Sequence, residues 1–141
     1  MSEDTSRHTP HLFPIRVYYE DTDFSGSVYH ANYLRFMERG RTEYLRQAGI
    51  HQQAVHAGEH GQPFGFVVSR MTIEFLRPAR MDDLLQVETT PKEIRGAAID
   101  LVQRVLRNGE VLARTEVRVA CVINGRAARL PAWVREKLGV S

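Results

Sequence analysis

The sequence predicts an α+β fold in which one antiparallel sheet wraps a single long helix. Three observations predict it. A short alternating strand comes first, a long run with an apolar stripe at helical spacing follows, and nearly everything after Pro63 reads as strand. The 141 residues are enough for one domain with its own core.

Residues 1–11 read as a polar, flexible N-terminal tail punctuated by Pro10, and 12–141 as a single domain. From Phe13, Ile15, Val17 and Tyr19 share one strand face, opposite Arg16, Tyr18 and Glu20. The alternation ends in DTDFSG, a cluster of turn formers. ANYLRFMERGRTEYLRQAGI then reads as a helix of about five turns. Tyr33, Met37, Gly40 and Tyr44 form its apolar stripe, flanked by Phe36 and Ala48, with Gly49 as its stop. Glycine costs about 1 kcal/mol relative to alanine inside a helix. On that stripe, Gly40 implies a close approach to a sheet.

Residues 51–62 read as loop with one short helical turn. The strand runs that follow are FGFVVSRMTIEFL, LLQVETTPKEIR, AAIDLVQRVLR and EVLARTEVRVACVI, expected as a four-stranded meander. Asn108-Gly109 marks a hairpin and Asn124-Gly125 a second turn, and Pro131 opens a short terminal helix. One helix does not cover so long a sheet, so pairing of edge strands into a homodimer or homotetramer is expected.

Composition excludes several classes. Lys plus Arg number 19 against 17 Asp plus Glu, and the aromatics sit at core spacings, so no nucleic-acid partner is expected. No run approaches the roughly 18 apolar residues of a membrane helix, and the N-terminus has no apolar signal segment; a cytoplasmic location is expected. Cys121, the one cysteine, sits in an apolar run and reads as a buried hydrophobe. His56 and His60 have metal-ligand spacing, but Gly58 interrupts a helix between them and no further ligands complete a zinc site.

The strand-to-helix junction, YEDTDFSGSVYHANY, carries the chemistry. Taken locally, Asp21 and Asp23 fit Asx-turn or capping residues, and His30 fits an ordinary first-turn position. The longer stretch RVYYEDTDFSGSVYHANYLRFMERGRTEYL resembles the hotdog-fold acyl-CoA thioesterases of the 4-hydroxybenzoyl-CoA thioesterase type. It is most similar to the bacterial Tol-Pal-associated acyl-CoA thioesterases. The block D-x-x-G-x-V-x-H-x-x-Y is met by Asp23, Gly26, Val28, His30 and Tyr33, and FLRPARMDDLLQVET extends the likeness over roughly residues 13–138. Ser27 departs from the aliphatic residue or glycine usual there.

The resemblance implies a hydrolase that splits an acyl-CoA thioester into acid and CoA without a cofactor. Asp23 would be the catalytic carboxylate, His30 the histidine at the helix start, and Tyr19 a site tyrosine. Gly26, Val28 and Tyr33 would contact substrate. Ser69 and Arg70 would reach the coenzyme across a subunit interface. The chemistry is coherent. A leaving thiolate with a conjugate pKa of about 8.5 needs no strong general acid. It needs an activated water or a direct nucleophile, which Asp23 supplies, and oxyanion donors, which a helix N-terminus near His30 supplies. Gly26 would free the turn and admit the thioester close to the backbone.

Asp21 is expected to hold the turn, and Glu38 to be a solvated or interface residue. Arg77 and Arg80 are candidate phosphate contacts. A non-catalytic acyl-CoA or acyl-carrier-protein binding module on the same scaffold is the competing interpretation, and a hydroxyacyl-CoA dehydratase a third, whose Asp–His motif is absent.

Overall fold

The computed structural model describes residues 9–140. The strands are β1 (His11–Arg16), β2 (Gly65–Phe75), β3 (Leu84–Arg95), β4 (Ala98–Arg107), β5 (Glu110–Ile123) and the short β6 (Arg126–Ala127). The helices are α1 (His30–Gln47), α2 (Gln52–His56) and α3 (Ala132–Lys137). The sheet is antiparallel with strand order β1-β3-β4-β5-β2, and β6 adds to β5. Only β3-β4-β5 is a meander. The expected four-strand meander fails at β2, which pairs with β5 rather than β3. Alternation marks a strand but not its partner, and residues 76–83 carry the chain from one sheet edge to strand β3 in the interior. β1 takes the free side of β3, where Pro14 is tolerated on an edge. The tail boundary also moves: His11 already pairs with Thr89, while residues 1–8 lie outside the described ones.

α1 packs on β3, β1 and β4. Tyr33, Phe36, Met37 and Gly40 are buried on its sheet-facing stripe, each large apolar side chain contributing about 1.5–3 kcal/mol. A Cβ at Gly40 would lie 2.5 Å from Val87 Cγ1, so the close approach inferred from the sequence is present. Beside it, Gln103 Nε2 donates to Met37 O (2.9 Å) and Thr89 Oγ1 (3.0 Å). Arg41 Nη1 donates to Gln103 Oε1 at 3.0 Å. The buried amide is therefore satisfied at both ends and pins the middle of the helix to the sheet.

This polar waist lies between two apolar clusters. One gathers Ile15, Val17, Val28, Tyr33, Phe36, Leu85, Val87 and Val105 beneath the first half of α1. The other gathers Leu45, Ile50, Val55, Ile99, Leu101, Val119, Cys121 and Val134 beneath its second half. Cys121 is fully buried, and burial pushes its thiol pKa up. Among the described residues, no helix is long and apolar enough to cross a membrane.

Candidate active site

β1 ends at Arg16, so the alternation expected to carry Tyr19 inward stops at Val17. Residues Tyr19–Asp21 form a 3₁₀ turn instead. Tyr19 is 78% exposed and does not line the cleft described below. Its carbonyl accepts the backbone N–H and the hydroxyl of Thr22. Asp21 is buried with both oxygens used: Oδ2 accepts Tyr18 N–H and Oδ1 accepts Asn32 Nδ2, each at 2.8 Å. It ties the turn to the first turn of α1, the structural role expected of it.

Residues 22–28 form a small hairpin. Thr22 bridges Val28, and Asp23 N–H donates to Ser27 O at 2.9 Å. Gly26 N–H donates to Asp23 O at 3.1 Å, with Gly26 at φ +83°, a turn followed by a left-handed residue as in three-residue hairpins. A Cβ at Gly26 would meet nothing within 4 Å, so its requirement is conformational; the close-approach role expected of it finds no crowding within the chain.

The 76–83 segment clamps this hairpin. Val28 N–H donates to Ala79 O (2.8 Å) and Met81 N–H to Gly26 O (3.1 Å). Arg80 Nη1 donates to Ser27 Oγ at 3.0 Å. Tyr33, only 2% exposed, accepts Ala79 N–H on its hydroxyl at 2.9 Å. Tyr33 thus fixes the wall of the site from α1, and Ser27 has a partner that explains a hydroxyl there.

The result is a cleft of about 440 Å³ lined by Asp23, Val28, His30 and Tyr33 from the junction and by Phe75, Leu76 and Arg77 from the end of β2. His30 is the first residue of α1, and its imidazole stacks on Phe75 with ring centroids 4.1 Å apart. Tyr29 occupies the N-cap position, where Ser, Thr, Asp or Asn is preferred, and makes no side-chain cap. No acid stands in the first turn, and among the described residues no acceptor is recorded for His30 or Ala31 N–H. The end of the helix at His30 therefore opens onto the cleft without a side-chain cap, with the Asp21 carboxylate bonded to Asn32 behind it.

Asp23 faces it. Its Oδ1 accepts the N–H of Ser25 at 2.8 Å and the Ser25 hydroxyl, so the carboxylate does form an Asx-turn. Oδ2 accepts no such close bond among the described residues, though the nearby backbone N–H groups of Ser27 and of Asp23 itself also favour the charged form. The Ser25 hydroxyl first, then the Ser25 N–H, hold the Asp23 carboxyl below the usual aspartate range, so it is ionised at neutral pH. Turn former and cleft carboxylate are one residue, served by different oxygens.

The cleft thus brings together Asp23, Val28, His30 and Tyr33, with Gly26 shaping the hairpin. Ser69 and Arg70 are elsewhere on β2: the Ser69 hydroxyl is turned to Arg118 O, and Arg70 borders a separate charged depression with Asp100 and Arg118. Glu38 lies in a third depression with Arg41. Arg77 pairs with Glu110 at 2.8 Å on the cleft rim. His60 stacks on Trp133. Sequence reasoning missed Tyr29, Phe75 and Leu76. The first was signalled by a bulky residue at a helix start; the others join the site through tertiary packing alone.

Comparison with known proteins identifies the chain's relatives. Residues 17–138 match the thioesterase-like superfamily. The acyl-CoA thioesterase YbgC of Haemophilus influenzae is 49% identical over 114 residues, 81% of this chain and 82% of that protein. The acyl-CoA thioester hydrolase YbgC of Escherichia coli O6:H1 is 45% identical over 111 residues, 78% of this chain and 80% of that one. A probable thioesterase from Bartonella henselae superposes with a TM-score of 0.84 at 42% identity, covering 87% of this chain and 100% of that one. With its curled antiparallel sheet around α1, the chain belongs to the thioesterase-like superfamily and has the hotdog fold.

Proposed function

We propose that this chain hydrolyses acyl-CoA thioesters to free acid and CoA in the cleft between Asp23 and the N-terminus of α1. One observation carries the assignment of residues: an ionised carboxylate with a free oxygen stands across a cleft from an uncapped helix N-terminus. The thioester carbonyl oxygen points to the His30 backbone N–H, where the helix dipole stabilises the charge that develops on addition. Asp23 Oδ2 either takes a proton from the attacking water or adds to the carbonyl carbon itself. Collapse of the tetrahedral adduct breaks the C–S bond and expels the CoA thiolate. On the water route this gives the acid directly, and the proton taken up by Asp23 passes to the thiolate. On the direct route it leaves an acyl–aspartyl anhydride, which water then hydrolyses to the acid and the Asp23 carboxylate, the water's proton going to the thiolate. The apolar walls, Val28, Tyr33, Phe75 and Leu76, favour an acyl group over a polar ligand.

The same proposal includes a homodimer or homotetramer acting in the cytoplasm. β2 is an eleven-residue edge strand whose Val67 and Val68 are 48% and 46% exposed, and pairing with a second copy would cover them. Such pairing is also what would bring Ser69 and Arg70 to a neighbouring cleft. A single buried thiol suits a reducing compartment. An acyl-carrier protein would offer the same thioester chemistry as CoA.

Thiol release measured over a panel of aromatic, short and long aliphatic acyl-CoAs tests the reading. Release from at least one class is expected. Binding without release from any would replace it with the non-catalytic module.

A further inference from the structure

An aspartate side chain has a broad, two-fold torsion about its last bond, so its two oxygens exchange by a half-turn unless something distinguishes them. At Asp23 something does. Both donors of Ser25, the N–H at 2.8 Å and the hydroxyl at 2.5 Å, converge on Oδ1. The second distance is that of a charge-assisted bond from a hydroxyl to a carboxylate. These donors stand on a fixed platform, because Gly26 N–H bonds Asp23 O, Asp23 N–H bonds Ser27 O and Met81 N–H bonds Gly26 O.

We propose that Ser25 is a positioning residue for Asp23: by saturating Oδ1 from the hairpin side, it reserves Oδ2 as the oxygen that meets the thioester or its attacking water. The inference rests on the catalytic reading of Asp23. It assigns a purpose to a residue that touches neither substrate nor reacting atoms.

The hydroxyl has two opposing effects. It stabilises the charged carboxylate, which keeps Asp23 ionised but lowers its intrinsic basicity and nucleophilicity. It also removes a rotational freedom that would otherwise let the carboxylate present the wrong oxygen, and small errors of placement are expensive in rate. The proposal holds that orientation is the larger effect. Ser25→Ala separates the two, because the backbone N–H remains to close the turn and the side chain is exposed, so the hairpin stays folded.

The test compares wild type, Ser25→Ala and Ser25→Thr for kcat, KM, thermal midpoint and the ¹³Cγ titration of Asp23. In Ser25→Ala, kcat is expected to fall about three- to tenfold with KM changed by less than about twofold. The Asp23 titration midpoint moves up toward the ordinary aspartate value, the thermal midpoint stays put, and Ser25→Thr restores both kcat and midpoint. Wild-type or raised kcat in Ser25→Ala overturns the proposal, whether or not the midpoint moves. A rise in KM alone overturns it too, by making Ser25 a substrate contact, as does failure of threonine to rescue. Asp23→Asn separates the levels. If that variant turns over normally, the catalytic reading falls; if it is inactive while Ser25→Ala is normal, only the positioning role falls.

Discussion

The two ends of α1 are finished in opposite ways. At the C-terminus the carbonyls of Tyr44, Leu45 and Arg46 are taken up by the residues that follow. Gly49, at φ +92°, lets its N–H bond Arg46 O (2.9 Å) and Ile50 N–H bond Leu45 O (2.8 Å), with Ile50 and Leu45 buried together. At the N-terminus the cap position holds a tyrosine that caps nothing, the first turn contains no acid of its own, and His30 lines a cleft. The contrast repeats on a smaller scale two residues apart. Asp21 is buried with both oxygens bonded, and Asp23 is exposed with one oxygen free. Satisfied groups hold the structure; the less satisfied ones border the cleft in which we propose that the thioester lies.

The largest effect on stability should come from breaking the satisfied side. Asp21→Ala leaves Tyr18 N–H and the Asn32 amide without their acceptor, and is expected to cost about 2–3 kcal/mol in urea unfolding. Turnover per folded molecule should fall far less than in a variant of Asp23. An equal loss of turnover would erase the distinction between the two aspartates.

A second variant converts the open helix end into a closed one. Tyr29→Ser supplies the missing cap and should raise stability by about 0.5–1 kcal/mol. Its hydroxyl would take up the Ala31 N–H rather than that of His30, so the oxyanion donor stays but the positive end of the helix is partly offset, and kcat should drop about two- to fivefold. Stability and activity moving in the same direction would speak against the oxyanion role of that terminus.

The smallest effect concerns acid. Asp100 is held below the usual range by the hydrogen bond from Arg118, against an opposing contribution from burial. Asp83 is lowered as well: its burial acts the other way but is outweighed by Arg80 N–H and Arg107. A carboxylate lowered by folding stabilises the folded state above its unfolded pKa and loses that contribution as pH falls through its folded one. Stability should therefore decline from about pH 4 downward, and Asp100→Asn should make that decline shallower while leaving neutral-pH turnover unchanged. An acid limb unaltered by the substitution would remove Asp100 from the account.

How much of this was legible in the sequence follows from which contacts are local. The long helix, its buried stripe, the close approach at Gly40 and the turns at Asn108-Gly109 and Asn124-Gly125 all depend on short-range spacing, and all stand in the structure. The position of β2 beside β5 does not, and with it went Phe75 and Leu76, which reach the cleft only because β2 ends against the start of α1. The strand face expected to carry Tyr19 gave way for a different reason: β1 ends at Arg16 and a 3₁₀ turn begins at Tyr19, leaving its side chain exposed. Asp23 was legible as a turn former from its neighbours and as a site residue from the family resemblance. Its two oxygens allow both.

The most direct measurement is the turnover of Asp23→Asn on the best acyl-CoA substrate, taken together with its thermal midpoint. The asparagine amide oxygen can still accept the Ser25 N–H and hydroxyl, so the hairpin and the midpoint should be preserved. The charge on Oδ2 is gone, and kcat should fall by about 10²–10⁴. A folded Asp23→Asn protein that hydrolyses acyl-CoA at the wild-type rate would contradict the account.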